Sequence, residues 1–361
     1  MEEKDDKNEQ FEEMDKDETK KDEKKTSLNK TSVFYFLLLA LSIILIVILF
    51  QYFNYSKNEQ TILDINQNTK FLVTLGNSNL GGYVLQYLLE KNVPPKNIIT
   101  TVRNMQKGEK WKEKGIEVRI ADYTDPESLE KAFKGVDRIY MVSSVGTIEF
   151  PRQIQHSNVI KAAKTCGVKL IVYSSFVNCL NNTNMVAVDH KDTEKILEES
   201  GLNYSIARNA IYLNLYGELL KFLAKKENDY FYNSCGDTKI SLVTIRELGE
   251  AGASILLKKE NKKIYELSGN PISFIDIKNA MEKLTGKEIK IIDVSHKEFT
   301  QYYEELMFNP YFCSLGIYMH QDFANGIFDI HSKDLENLIG HPPASLENNI
   351  KEVIELPNYY N

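Results

Sequence analysis

The residues best placed to do chemistry form a small polar turn, Gly76-Asn-Ser-Asn-Leu-Gly-Gly82, directly after the apolar run Phe71–Leu75. Backbone N–H groups at the start of a helix hold anions, because they lack intrahelical acceptors and carry the positive end of the helix dipole. A second candidate is Arg103, in Thr101-Val-Arg-Asn104, at the end of the next apolar run. A guanidinium there suits a phosphate held through two parallel hydrogen bonds, or it is an ordinary surface arginine. His190 and Glu194 stand four residues apart, on one face of an expected helix, with Lys191 and Lys195 beside them. His190 and Lys195 are thus candidates for proton transfer, and a role in starting the helix is the alternative. Tyr87 and Lys91 have the spacing of an acid pair but fall inside the first helix, away from any such site. The four cysteines are widely separated, with no C-x-x-C, and the six histidines form no H-E-x-x-H, so no metal site is expected.

The turn requires a strand before it and a helix after it. Phe71–Leu75 supplies the first, and Leu80, Val84, Leu85, Leu88 and Leu89 mark one face of the second. From 70 to about 210 apolar strands alternate with helices. Strands are expected at 97–102, 116–120, 136–142, 168–173 and 204–207, and helices at 106–114, 126–133, 150–166 and 190–200. Near-continuous apolar strands joined by helices predict a parallel sheet covered on both faces, of the Rossmann doubly wound type. Ligands of such sheets bind at the carboxyl ends of the strands, which here carry Gly76–Asn79, Arg103, Asp122, Ser143, Ser144 and Asn209. Asp122 either faces a ligand or caps the following helix. Residues 211–355 predict a smaller α/β lobe, with a strand at 264–267 and helix caps at Thr244, Ser273 and Ser295.

The first 68 residues differ in kind. Residues 1–32 hold 12 acidic residues and 8 lysines and predict a disordered tail. Val33–Phe50 is an 18-residue apolar run, extended by Gln51, Tyr52 and Phe53, of a length that suits one transmembrane helix over 33–53. A cleaved secretory signal or a buried helix are the alternatives. Five lysines lie between 20 and 30 and only Lys57 follows closely, which favours a cytosolic N-terminus. Residues 54–68 read as a linker. The net charge of −7 and a pI near 5.6 argue against nucleic acid as a partner.

Several runs are shared with a known group. They are Thr101-Val-Arg-Asn104, Gly115-Ile-Glu-Val-Arg119 with Ala121-Asp-Tyr123, Gln155-His-Ser-Asn-Val-Ile160, Ala162-Ala-Lys164 and Gly167-Val-Lys169. His190 with Thr193-Glu-Lys195, Ala207-Arg-Asn209 and Leu338-Ile-Gly-His-Pro342 continue the match. On these runs residues 70–355 resemble the NmrA-like atypical short-chain dehydrogenases, among them the type 2 NAD(P)H:quinone oxidoreductases and triphenylmethane reductases. The resemblance implies NADPH bound by the first turn (Leu75, Gly76, Asn77, Ser78, Asn79, Leu80), by Arg103, by Ser143, Ser144 and Val145, and by the segment that includes Asn209 and Tyr212. It also implies that no Tyr-Lys pair is used. Hydride transfer to a quinone or similar small conjugated acceptor is the activity implied; a non-catalytic NADPH sensor or scaffold, with a protein partner, and a module that binds no dinucleotide are the alternatives. NADPH is mostly cytosolic, which opposes the lysine bias and leaves the side of the membrane open. The family turn reads G-A-T-G-x-L-G. Aligned through Tyr83-Val84, Leu75 and Ser78 replace two of its glycines and Gly81 keeps the third; a slip by one residue would align Gly76, Asn79 and Gly82 instead.

Overall fold

The computed structural model describes residues 35, 38–47, 49, 69–182, 185–306 and 319–356. The described residues fall in two units, one within 63–361 and one within 1–62. In the latter, residues 38–47 are helical and exposed. Among the described residues no helix is long and apolar enough to cross a membrane. Much of the expected 33–53 span, and the whole of the expected tail and the 54–68 linker, lie outside the described residues.

Seven strands form the central sheet: Phe71–Val73 (β1), Ile98–Val102 (β2), Glu117–Ile120 (β3), Arg138–Met141 (β4), Leu170–Phe176 (β5), Tyr204–Asn209 (β6) and Ile264–Leu267 (β7). Their order is β7-β6-β5-β4-β1-β2-β3, with every neighbouring pair parallel. β1 and β2 are buried at every residue, as strands covered on both sides are, with Thr100 and Thr101 the polar members of β2. Helices Asn79–Glu90 (α1) and Ile245–Leu257 (α5) pack on one face, within a core that includes Phe71, Val84, Leu88, Leu248 and Ile255. Pro126–Phe133 (α2), Arg152–Thr165 (α3) and Met185–Glu199 (α4) cover the other, over Leu72, Ile139, Ile171 and Tyr173. The starts of α2 and α5 have local causes. Asp125 accepts from the N–H groups of Glu127 and Ser128, with Pro126 preset for the first turn of α2. Thr244 accepts from Glu247 N–H at the start of α5.

Two expectations shift. β7, assigned by sequence to the smaller lobe, is a strand of the main sheet, because Ile264–Leu267 pairs in register with Ile206–Asn209. The helix expected over 106–114 is a 3-10 turn, Met105–Gly108, followed by one helical turn, Glu109–Lys112. The rest of the C-terminal part is built on two short parallel pairs, Ile211–Tyr212 with Leu242–Val243 and Tyr230–Asn233 with Lys290–Asp293. Phe274–Thr285 has the expected Ser273–Asp276 capping box and ends at Gly286. Ser295 and Glu298 form the second. Phe299, Phe323 and Phe328 are core residues.

Candidate active site

β1 and β4 are neighbours although two strands separate them in sequence, so the crossovers diverge there and leave a crevice at the strands' carboxyl ends. A cavity of about 700 Å³ occupies it. Leu75, Asn77, Ser78, Asn79 and Leu80 line it from the first turn, and Arg103, Asp122, Tyr123 and Thr124 from the ends of β2 and β3. Val142, Ser143, Ser144, Val145, Thr147, Glu149 and Phe150 contribute from the loop after β4, Arg152 and Gln155 from α3, and Tyr212 from the segment after β6.

The turn is fixed from several sides. Gly76 N–H donates to the Thr101 carbonyl at 3.0 Å, and Trp111 Nε1–H donates to the Gly76 carbonyl at 2.7 Å. Ser78 is the N-cap of α1: its Oγ accepts from Gly81 N–H at 3.1 Å and donates to the Leu75 carbonyl at 2.7 Å. Asn79 and Leu80 open the helix, and the carbonyls four residues before them, those of Leu75 and Gly76, are taken by Ser78 and Trp111. The glycine register is visible in the available space. Leu75 sits at φ 50°, a left-handed conformation that favours glycine. A Cβ on Gly81 would lie 2.6 Å from the Leu75 carbonyl oxygen, whereas one on Gly82 would have 3.7 Å to its nearest neighbour. The left-handed backbone at Leu75 and the clearances at Gly81 and Gly82 fit the Leu75, Ser78, Gly81 alignment, while a Cβ on Gly76 would collide with Thr100 Oγ, so that position is closed to side chains as well.

The loop after β4 is equally braced. Thr74 Oγ accepts from Val142 N–H at 2.9 Å and lies 2.6 Å from the Tyr123 hydroxyl. Ser143 N–H donates to Ser174 Oγ at 2.8 Å. Gln155 donates its amide to the Phe150 carbonyl at 2.8 Å. Ser144 N–H donates to His156 Nε2 at 3.0 Å, so that nitrogen carries no proton, and Nδ1–H faces Thr193 Oγ at 2.9 Å. Burial, aided by the positive charge of Arg152, pushes the His156 pKa down to about 3, and the ring is neutral.

Ten of the twelve residues expected around a dinucleotide line the cavity: Leu75, Asn77, Ser78, Asn79, Leu80, Arg103, Ser143, Ser144, Val145 and Tyr212. Gly76 lies buried beneath the turn, and Asn209 is buried with its amide 3.4 Å from the Tyr212 hydroxyl. The proton-transfer candidates stand elsewhere. His190 is buried, with Nδ1 2.7 Å from the Tyr173 hydroxyl and its ring stacked on Phe176. Lys195 is exposed and pairs with Glu199 at 4.0 Å. Glu194 receives Arg208 through two bonds, at 2.6 and 2.9 Å, and Ser175 Oγ–H at 2.5 Å. Tyr87 and Lys91 meet Arg246 and Glu250 of α5 rather than the cavity. Among the described residues no cluster of His, Cys, Asp or Glu could hold a metal ion. Sequence reasoning passed over Arg152 and Phe150; the Pro151-Arg152 start of α3, just ahead of the shared Gln155-His156 run, was the available signal.

The pattern of the NmrA-like family matches residues 67–326. The chain belongs to this family. It is 31% identical to quinone oxidoreductase 2 of Escherichia coli over 289 residues, 79% of this chain and 99% of that one. It is 24% identical to an NAD(P)H azoreductase of Xenophilus azovorans, over 64% of this chain and 79% of the relative. Among solved structures, triphenylmethane reductase of Citrobacter sp. in complex with NADP(H) matches 79% of this chain and 100% of its own, at 30% identity and a TM-score of 0.74. The NADPH complex of the Escherichia coli quinone oxidoreductase matches over the same shares, at 29% identity and a TM-score of 0.72.

Proposed function

We propose that this NmrA-like protein is an NADPH-dependent reductase of quinones or similar flat, conjugated acceptors. The observation that carries the reading is the crevice between β1 and β4, which has the first N–H groups of α1 on one wall and Arg103, with no acidic residue next to it in sequence, beyond β2. The residues present fit a dinucleotide. Ser78 Oγ is engaged within the turn, so Asn79 and Leu80 N–H remain to receive a pyrophosphate, and Arg103 to receive a 2′-phosphate. NADPH, when bound, supplies the hydride. Ser143, Ser144, Val145 and Tyr212, expected around the dinucleotide, line the same cavity, and Phe150 adds a flat wall that excludes water from the acceptor. His190, Lys195 and Asn209 do not line the cavity and take no part in this scheme. Attachment to a membrane through residues 33–53 belongs to the same proposal; release of the intact chain by carbonate extraction would remove it.

The deciding experiment follows NADPH oxidation by the full-length chain in detergent, with and without an added quinone. Oxidation only when quinone is present is the expected result. A second reading, a sensor that binds NADPH without turnover, is favoured by Leu75 and Ser78 in place of glycines. Tight NADPH binding with no oxidation across a broad quinone panel would establish it instead.

A further inference from the structure

We propose that Arg152 makes a subsite for an anionic oxygen carried by the acceptor's ring, so that hydroxyquinone anions bind in preference to neutral quinones. The inference rests on the reductase reading of the cavity and names its substrate class.

Arg152 opens α3 and lines the cavity, yet its side chain is only 8% exposed. A guanidinium offers five donors, and buried donors are normally satisfied. Here Nε and Nη1 are both buried without a hydrogen-bond partner. The Asp189 carboxylate approaches Nε only to 3.7 Å, beyond hydrogen-bond reach, and takes the Gln153 amide at 2.8 Å instead. His156 and His190, near enough for the charge of Arg152 to depress their protonation, are neutral and provide no counter-charge. Glu149, the other carboxylate after β4 on the cavity wall, is exposed. A second donor, Ser144 Oγ, lines the same cavity and is also buried without a partner. Two buried donor groups in one cavity, each without a hydrogen-bond partner, call for an acceptor oxygen from a ligand, and Arg152, which has the charge of Asp189 at 3.7 Å but no hydrogen bond to it, suits an anionic one.

The topology separates this demand from the dinucleotide's phosphates. Arg103 follows β2 and Arg152 follows the loop after β4, and these strands flank β1 on opposite sides. The phosphate positions lie at the start of α1 and at Arg103, which leaves Arg152 to the acceptor end. Val142, Val145, Phe150 and Tyr212 make the surroundings apolar or aromatic. A ligand that satisfies both is a flat conjugated ring bearing one ionised oxygen.

The test measures binding of 2-hydroxy-1,4-naphthoquinone, an anion at pH 7.5, and of neutral 1,4-naphthoquinone, to the full-length chain by calorimetric titration, with NADPH titrated in parallel. Wild type should favour the anion about tenfold, as a charge-assisted contact implies. Arg152→Gln should abolish the preference while binding of the neutral quinone and NADPH persists, and Arg152→Lys should keep part of it. Asp189→Asn, which removes the competing carboxylate, should tighten anion binding, a gain that misfolding cannot produce. Equal binding of the two quinones by wild type, or a preference that survives in Arg152→Gln, would overturn the proposal. So would a loss of NADPH affinity in Arg152→Gln that matches the loss of anion affinity, since Arg152 would then serve the dinucleotide. A wild-type chain that discriminates the anion but binds no NADPH would remove the reductase reading and leave the subsite standing.

Discussion

The Ser78 hydroxyl donates to the Leu75 carbonyl at 2.7 Å, so the two residues that replace glycines in the first turn brace one another. The same oxygen caps α1 by accepting from Gly81 N–H, so the Ser78 hydroxyl and the Leu75 carbonyl are paired and the first helical N–H groups are left for an anion. The altered turn is a substitute geometry rather than a collapsed one.

Leu75 holds φ 50° and packs in part against both faces of the sheet. Leu75→Gly removes the left-handed strain along with the packing, whereas Leu75→Ala removes only the packing. The glycine variant should be the more stable by about 1 kcal/mol, the reverse of the usual order at helical positions. Urea unfolding of the two variants measures the difference.

Gly81→Ala forces a Cβ against the Leu75 carbonyl, a backbone atom that cannot move aside. The expected loss is about 2–3 kcal/mol, in the range of overpacking. Gly82→Ala, one residue on, meets nothing closer than 3.7 Å and lies within the helix, so it should be neutral or stabilising by up to about 1 kcal/mol. Thermal unfolding of the pair reads the glycine register directly, and equal losses would point to the slipped alignment.

Arg103 stands exposed on the cavity rim with no carboxylate beside it in sequence. NADPH should bind about 10- to 100-fold more tightly than NADH at low salt, with a charge-assisted pair supplying the difference. Arg103→Ala should weaken NADPH and leave NADH nearly unchanged, and Arg103→Lys should recover only part. Calorimetric titration with both nucleotides decides it; equal losses would assign Arg103 to the pyrophosphate or to the fold.

Arg208 is buried and joins Glu194 to Glu266, at 2.6 and 2.8 Å. Arg208→Met strands the nearly inaccessible Glu194 carboxylate and should cost about 3–5 kcal/mol. Adding Glu194→Leu should restore much of that loss, because the uncompensated charge goes with it. Denaturant midpoints of the single and double variants test the coupling.

Acid should destabilise the fold well before most carboxylates titrate. His156 and His320 are pushed down to about 3 by burial, and His190 is driven well below its ordinary value for the same reason. Below about pH 6.5 the unfolded chain takes up these protons and the folded chain does not, so stability is complete above that pH and falls as pH drops toward 3. Each such histidine contributes a slope approaching 1.4 kcal/mol per pH unit in that window. Urea unfolding between pH 7.5 and 5 should show the slope, and His156→Gln should reduce it by one proton's worth.

The parts of the fold legible in sequence were those with local causes. β1, its turn and α1 follow from a short apolar run, a polar break and a helical repeat, and Thr244, Ser273 and Ser295 announce their helices by spacing alone. Tyr230–Asn233 was missed because its partner, Lys290–Asp293, lies 60 residues on, and neither strand alternates clearly. The glycine register stayed ambiguous in sequence because it depends on clearance around a Cβ, a three-dimensional quantity. Arg152 was overlooked for a related reason: its significance lies in the hydrogen bonds it lacks, and letters do not record those.

The place of β7 bears on how the chain is made. Ser205 on β6 donates to the carbonyl of Lys262, 57 residues later, and the intervening chain builds part of the C-terminal half before returning. During synthesis β6 therefore emerges long before its outer neighbour exists, and its row of unpaired amides and carbonyls is open to a wrong partner. Ribosome-bound chains should remain prone to edge-to-edge association until Leu267 has cleared the exit tunnel. That interval is a property of the wiring rather than of the finished molecule's stability.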